Sequence, residues 1–168
     1  HADLPGCVTD FLSPVLTHCK MLRNHYGNDI GIVFVGPCIA KKVESDVNNN
    51  LLNAALTFEE IKQWWENEGI DIFADDNEAG GNETFVPNSA KEGSLYPVDG
   101  GMIAGIKSNC RVDDSSFMTF SGIKNIRQAL EGIDQIDSSR NLFLAFLACE
   151  GGCVNSPASL SPCSTIVN

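Results

Sequence analysis

Ile30-Gly31-Ile32-Val33-Phe34-Val35 is an almost unbroken apolar run, rich in β-branched residues, and it leads directly into Gly36-Pro37-Cys38-Ile39-Ala40-Lys41-Lys42-Val43-Glu44. A run of this kind predicts a central parallel strand covered on both faces, because an edge strand of an antiparallel sheet would alternate apolar with polar residues. The segment that follows is then a loop at the strand's end, carrying a thiol, two ammonium groups and a carboxylate. A second apolar run, Leu142-Phe143-Leu144-Ala145-Phe146-Leu147, leads into Ala148-Cys149-Glu150-Gly151-Gly152-Cys153-Val154-Asn155. This second loop offers two thiols separated by glycines, which are expected to let backbone amides face whatever the thiols hold. Two strand ends that each present thiols suggest one iron-sulfur site assembled from two places in the chain.

The elements between these runs are mostly helical. Ser13-Pro14 sets a favoured cap before a proline at the first helical position, and a helix over 15–26 is expected to stop at Gly27. Thr57-Phe58-Glu59-Glu60 matches a capping box, so a helix is expected to run to Glu68, ahead of Gly69. Trp64 and Trp65 are adjacent and cannot share one stripe. Over 74–97 the sequence becomes acidic and rich in Gly and Asn, as in an irregular surface excursion; Asp75, Asp76 and Glu78 lack the ordered alternation of a calcium loop. Gly100-Gly101 precedes a predicted helix over 102–107, followed by a strand at 117–120 and a helix over 123–130. Strands alternating with helices predict an α/β fold, with parallel-rich sheet layers flanked by helices.

Composition narrows the function classes. At 168 residues the chain has the size of one domain, with room for two small lobes, and 22 acidic against 11 basic residues give a net charge of −11. Nucleic-acid and anionic-membrane surfaces attract basic stripes, so no nucleic acid and no membrane is expected as partner. No apolar run approaches the roughly 20 residues needed to cross a bilayer. Seven cysteines, at 7, 19, 38, 110, 149, 153 and 163, are odd in number and lack the dense spacing of a secreted disulfide scaffold. A reducing, cytoplasmic setting fits them. The start at His1 and the end at Val167-Asn168 read as those of a piece cut from a longer protein.

Taken singly, the residues also allow plainer readings. An isolated Cys38 is more often an inert buried thiol, and Lys41 and Lys42 more often solvated charges. The Cys-x-x-x-Cys spacing of Cys149 and Cys153 differs from the usual Cys-x-x-Cys of zinc and dithiol sites, although a zinc or thiol-redox domain remains an alternative. His18 and His25 lie near one helix face, where a Cys-His nucleophile with Cys38 or Cys19 can be drawn.

Together the two cysteine loops resemble the second and third signatures of the catalytic domain found in the large subunits of the iron-only (di-iron) hydrogenases, and the likeness spans nearly the whole chain. Gly36, Ser13-Pro14 and Asp99-Gly100-Gly101-Met102 look more like the sensory branch, often joined to PAS and signalling domains. The resemblance implies that Cys38, Cys149 and Cys153 match three of the four thiolate ligands of a [4Fe-4S] cluster, with Cys153 bridging to a di-iron subcluster in the full-length parent. It also implies that Lys41 donates to a cyanide on the distal iron and that Glu44 belongs to a proton route. The partners it implies are hydrogen and protons, and an electron-transfer or signalling protein. The family's first signature, a Thr-Ser-Cys-Cys-Pro-like segment expected before the Ser13 helix, has no counterpart here; Leu147 replaces a usual Met, and Ser156 a common Gly. The piece alone is therefore expected to bind no cluster and to be inactive. A non-catalytic iron-sulfur cluster-binding or assembly module is the alternative of another class.

Overall fold

Ser13 and Pro14 begin the first helix as their chemistry predicts. In the computed structural model, which describes residues 6, 8, 10–71, 84–111, 117–135 and 142–160, helix α1 spans Pro14–Tyr26. Ser13 Oγ accepts from the Leu16 amide at 3.3 Å, and Gly27, at φ 95°, donates its N–H to Arg23 O at 2.9 Å. The buried face of α1 carries Leu16, Cys19 and Arg23, and the two apolar residues pack with Ile32 and Leu52 into the core.

Strand β1 (Val33–Val35) pairs in parallel with β2 (Ala54–Leu56), Val33 opposite Ala54 and Val35 opposite Leu56, and helix α2 (Ala40–Val47) makes the crossover between them. The parallel pairing agrees with the apolar run, but the cover on both faces does not follow. Val33 and Val35 remain 43% and 40% exposed in a two-stranded sheet. The strand is also shorter than its apolar run, because Asn53 intercepts the chain ahead of Val33: its Oδ1 accepts from the Ile32 amide at 2.7 Å, while Ile32 O accepts from the Asn53 amide at 2.9 Å. The segment expected to be a loop through Glu44 is helical from Ala40 onward. Neither α2 nor β2 announces itself in sequence, since α2 lacks a side-chain cap and β2 has only three residues.

Helix α3 (Phe58–Asn67) follows with its capping box complete: Thr57 Oγ1 accepts from the Glu60 amide at 3.3 Å, and Glu60 Oε2 accepts from the Thr57 amide at 2.8 Å. It stops before Gly69, whose φ is 69°. Trp65 is half-buried, whereas Trp64 is 50% exposed, as adjacent helix positions require.

The second half repeats the unit. A 3-10 turn over Lys91–Leu95 falls within the stretch expected to be irregular, and residues 74–83 of that stretch lie outside the described residues, as do Cys7 and Cys163. Helix α4 (Gly101–Asn109) follows Gly100, which turns the chain at φ 74°; a Cβ on Gly101 would lie 1.7 Å from Leu95 O, so this contact admits no side chain. Strand β3 (Phe117–Ser121), helix α5 (Ile123–Glu131) and strand β4 (Phe143–Leu147) form another parallel β-α-β unit, with Phe117 opposite Phe143 and Ser121 opposite Leu147. Cross-strand ring pairs, Phe117 with Phe143 at 5.6 Å and Phe120 with Phe146 at 6.0 Å, line the ladder. The α/β class is thus as expected. Among the described residues, no helix is long and apolar enough to cross a membrane.

Candidate metal centre

Both cysteine loops leave the C-terminal ends of parallel strands, the side of an α/β layer where ligands are usually received. After β1, the Gly36 amide donates to Leu56 O at 3.0 Å and extends the ladder by one bond. A Cβ on Gly36 would lie 2.7 Å from the tip of the Phe34 ring, so the aromatic side chain takes the space beside this buried position. Cys38 follows, half-buried, and its carbonyl accepts from the Lys41 amide at 3.1 Å as the chain enters α2.

After β4, the chain turns through Cys149 to Gly152, with Gly151 at φ 74° and Gly152 at φ 104°, backbone states that disfavour any side chain. The expectation that these amides would face whatever the thiols hold is corrected. The Gly151 amide donates to Ser121 Oγ at 3.1 Å and the Gly152 amide to Cys149 O at 3.1 Å, so both are spent on the protein. What the glycines permit instead is close approach: a Cβ on Gly152 would lie 2.3 Å from Pro97 O. A 3-10 turn, Cys153–Asn155, completes the loop. Asn155 Nδ2 donates to Glu150 O at 3.1 Å, while the buried Oδ1 has no partner among the described residues.

The three thiols are brought into one neighbourhood. Burial pushes the Cys153 thiol up to about 11, the thiols of Cys38 and Cys149 push it further in the same direction, and a hydrogen bond with Cys38 adds to them, against an opposing pull from Lys41. All three are free thiols. Lys41 and Glu44, predicted as a pair of functional residues, meet each other: Lys41 Nζ lies 2.5 Å from Glu44 Oε2, with both side chains about four-fifths buried at 21% and 20% exposure. Lys42 turns away to Glu60, at 2.6 Å from Oε2. Cys19 is 2% exposed in the core, and burial raises its thiol above the ordinary range. His25 packs edge-on against Tyr26 at 4.5 Å, and His18 lines a cleft of about 340 Å³ with Leu12, Pro14, Thr17, Met21 and Tyr96.

Sequence reasoning missed Asp99 and Ser121, which hold the Cys149 loop from outside it. Asp99 was legible only as a neighbour of Gly100-Gly101, and Ser121 carries no motif.

Three cysteine thiols are a soft donor set of the kind that iron-sulfur groups take. Among the described residues, no group of three or more His, Cys, Asp or Glu side chains is arranged to hold a metal ion. A [4Fe-4S] cube takes its thiolates on separate iron corners, and a thiol such as Cys153, whose ionisation is opposed by burial and by neighbouring thiols, is relieved by iron(II) and iron(III) charge. No curated protein matches the chain. The family described as "Iron only hydrogenase large subunit, C-terminal domain" matches residues 1–157, a span that holds both cysteine loops and every strand and helix given above. The chain therefore belongs to this family, the C-terminal domains of iron-only hydrogenase large subunits.

Proposed function

We propose that this chain supplies Cys38, Cys149 and Cys153 as three thiolate ligands of a [4Fe-4S] cluster, with a fourth ligand provided from elsewhere in the parent protein. The parent interconverts hydrogen with protons and electrons, or senses hydrogen or redox state and relays it to an electron-transfer or signalling partner. The observation that carries this reading is that Cys153 shares a hydrogen bond with Cys38 and lies within electrostatic reach of both Cys38 and Cys149, thiols that follow strands of two separate parallel sheets. The cluster, when bound, supplies one-electron transfer. The chain's own part is to hold and charge the site. Lys41 places an ammonium near Cys153 and favours ionisation of that thiol, and Glu44, about one-fifth exposed, offers a carboxylate paired with that ammonium. Three thiolates alone leave one iron corner to water, so the chain by itself retains little iron and turns over no hydrogen.

Iron and acid-labile sulfide, read with an electron paramagnetic resonance spectrum after anaerobic reconstitution, test this reading. The protein extended through the family's first cysteine signature is expected to hold about four irons per cluster, and Cys38→Ser or Cys153→Ser in it is expected to lose most of them. An extended protein that takes up no iron, or retains zinc instead, overturns the proposal.

One observation favours a second reading, a cluster-binding module without hydrogen chemistry. The Lys41 ammonium is already engaged by Glu44 rather than free to meet an anionic ligand. A cubane signal without infrared bands of carbonyl and cyanide would decide for it.

A further inference from the structure

The loop between Cys149 and Cys153 is held by a segment distant in sequence. Val98 forms an antiparallel bridge with Gly152, the Asp99 amide donates to Gly151 O at 3.2 Å, and the Val154 amide donates to Pro97 O at 3.2 Å. Pro97, Val98 and Asp99 thus run along the loop through one isolated bridge and two backbone bonds, tied to it on both sides of Gly152.

The Asp99 side chain adds a second hold on the same residue. Its Oδ1 accepts from Thr119 Oγ1 at 2.7 Å and its Oδ2 from Ser121 Oγ at 2.7 Å. Thr119 and Ser121 are two apart on β3 and so share one face. A hydroxyl has a single proton; with that of Ser121 committed to Asp99, its lone pairs are left to accept the Gly151 amide at 3.1 Å. Ser121 is 8% exposed, so water offers this hydroxyl little alternative. Both backbone polar groups of Gly151 are therefore controlled by Asp99, the carbonyl directly and the amide through Ser121. Capping does not account for this carboxylate, although it stands just before α4: both of its oxygens are taken by β3 hydroxyls, and the cap residue, Gly100, makes no side-chain bond.

We propose that Asp99 is a positioning residue for the cysteine loop, fixing Gly151 so that Cys149 and Cys153 are presented to the centre they share with Cys38. The inference rests on the reading of these cysteines as cluster ligands, and its test separates the two. In cluster-free protein, per-site alkylation rates by mass spectrometry are compared for wild type, Asp99→Ala, Asp99→Asn and Ser121→Ala. Cys149 and Cys153 report the loop, and the core residue Cys19 reports general unfolding. Asp99→Ala removes two charge-assisted hydrogen bonds, of which the one from Ser121 orients the acceptor of Gly151; loss of that one is expected to raise labelling of Cys149 and Cys153 by about tenfold, with Cys19 unchanged. Asp99→Asn keeps one acceptor oxygen and is expected to give a smaller rise. If Asp99→Ala does not fold, Ser121→Ala, which removes the acceptor for Gly151 together with one of the two hydroxyls on Asp99 but leaves the carboxylate bonded to Thr119, is expected to give the same loop-specific increase. Unchanged labelling of Cys149 and Cys153 in Ser121→Ala and in folded Asp99→Ala, or a rise that Cys19 matches, overturns the proposal. Iron content of the reconstituted parent is read in parallel. A loop-specific rise in a parent that binds no iron supports the positioning role and removes the cluster reading; iron binding with no change at the loop does the reverse.

Discussion

Lys42 Nζ donates to both carboxylate oxygens of Glu60, at 2.7 Å to Oε1 and 2.6 Å to Oε2, and so joins the first turn of α2 to the capping box of α3. Lys41, its neighbour in sequence, is among the charges felt by Cys153. Successive helical residues point about 100° apart, so one lysine reaches the capping box of α3 and the other stands near Cys153. An identical pair of side chains in sequence is divided by helix geometry alone.

The Lys42 bond, followed by the Thr57 amide bond, holds the Glu60 carboxyl at about 2, below its ordinary 4.5. A lowered folded-state value contributes stability in full above about 4.5, and that contribution is lost as the pH falls through about 2. Lys42→Met is therefore expected to lower the Tm at neutral pH, and the gap from wild type is expected to close between about 4.5 and 2. Thermal unfolding followed by circular dichroism across that window checks it; a gap that stays constant would contradict the assignment.

Arg23 is 8% exposed and spends its guanidinium on backbone carbonyls: Nε and Nη2 donate to Leu51 O at 3.1 and 3.0 Å, and Nη1 donates to Asn28 O at 2.6 Å and Ile30 O at 2.9 Å. Nη2 also donates to Asn53 Oδ1 at 3.0 Å. Arg23 thus fixes the chain ahead of both β1 and β2. Arg23→Met leaves these acceptors short of donors and is expected to cost about 3 kcal/mol, a fall in Tm of roughly 6–12 °C for a chain of this size. Urea unfolding measures the first figure and calorimetry the second.

Gly152→Ala asks for a left-handed backbone at φ 104° from a residue with a Cβ, and sets that Cβ 2.3 Å from Pro97 O. The strain is of order 1–3 kcal/mol, and here it must be relieved by parting the loop from Val98. Loss of stability is expected together with faster alkylation of Cys153. Equal labelling in the variant and wild type would show that the bridge does not restrain the thiol.

Much of the scaffold is readable locally. Ser13-Pro14 and the Thr57-Glu60 box fix helix starts by satisfying amides within one turn, and Gly27 and Gly69 fix their ends by adopting positive φ. The apolar runs ending at Val35 and Leu147 do form parallel strands, since their composition suits them to nothing more amphipathic. Extent and cover are not readable in the same way: what Asn53 does to the start of β1, and which strands pair, depend on partners remote in sequence.

Fold class, the main helix boundaries and the family are all legible along the chain, because capping chemistry, apolar periodicity and the cysteine loops are short-range patterns. Folding in three dimensions is what pairs Lys41 with Glu44 while Lys42 reaches α3, lets the glycines between Cys149 and Cys153 admit the 97–99 segment rather than expose amides, and sets Asp99 and Ser121 to hold that loop. Each of these depends on which surfaces meet when segments distant in sequence fold together. A hydroxyl, a carboxylate and a glycine amide far apart in the chain carry no joint signature until the backbone sets them within hydrogen-bonding distance.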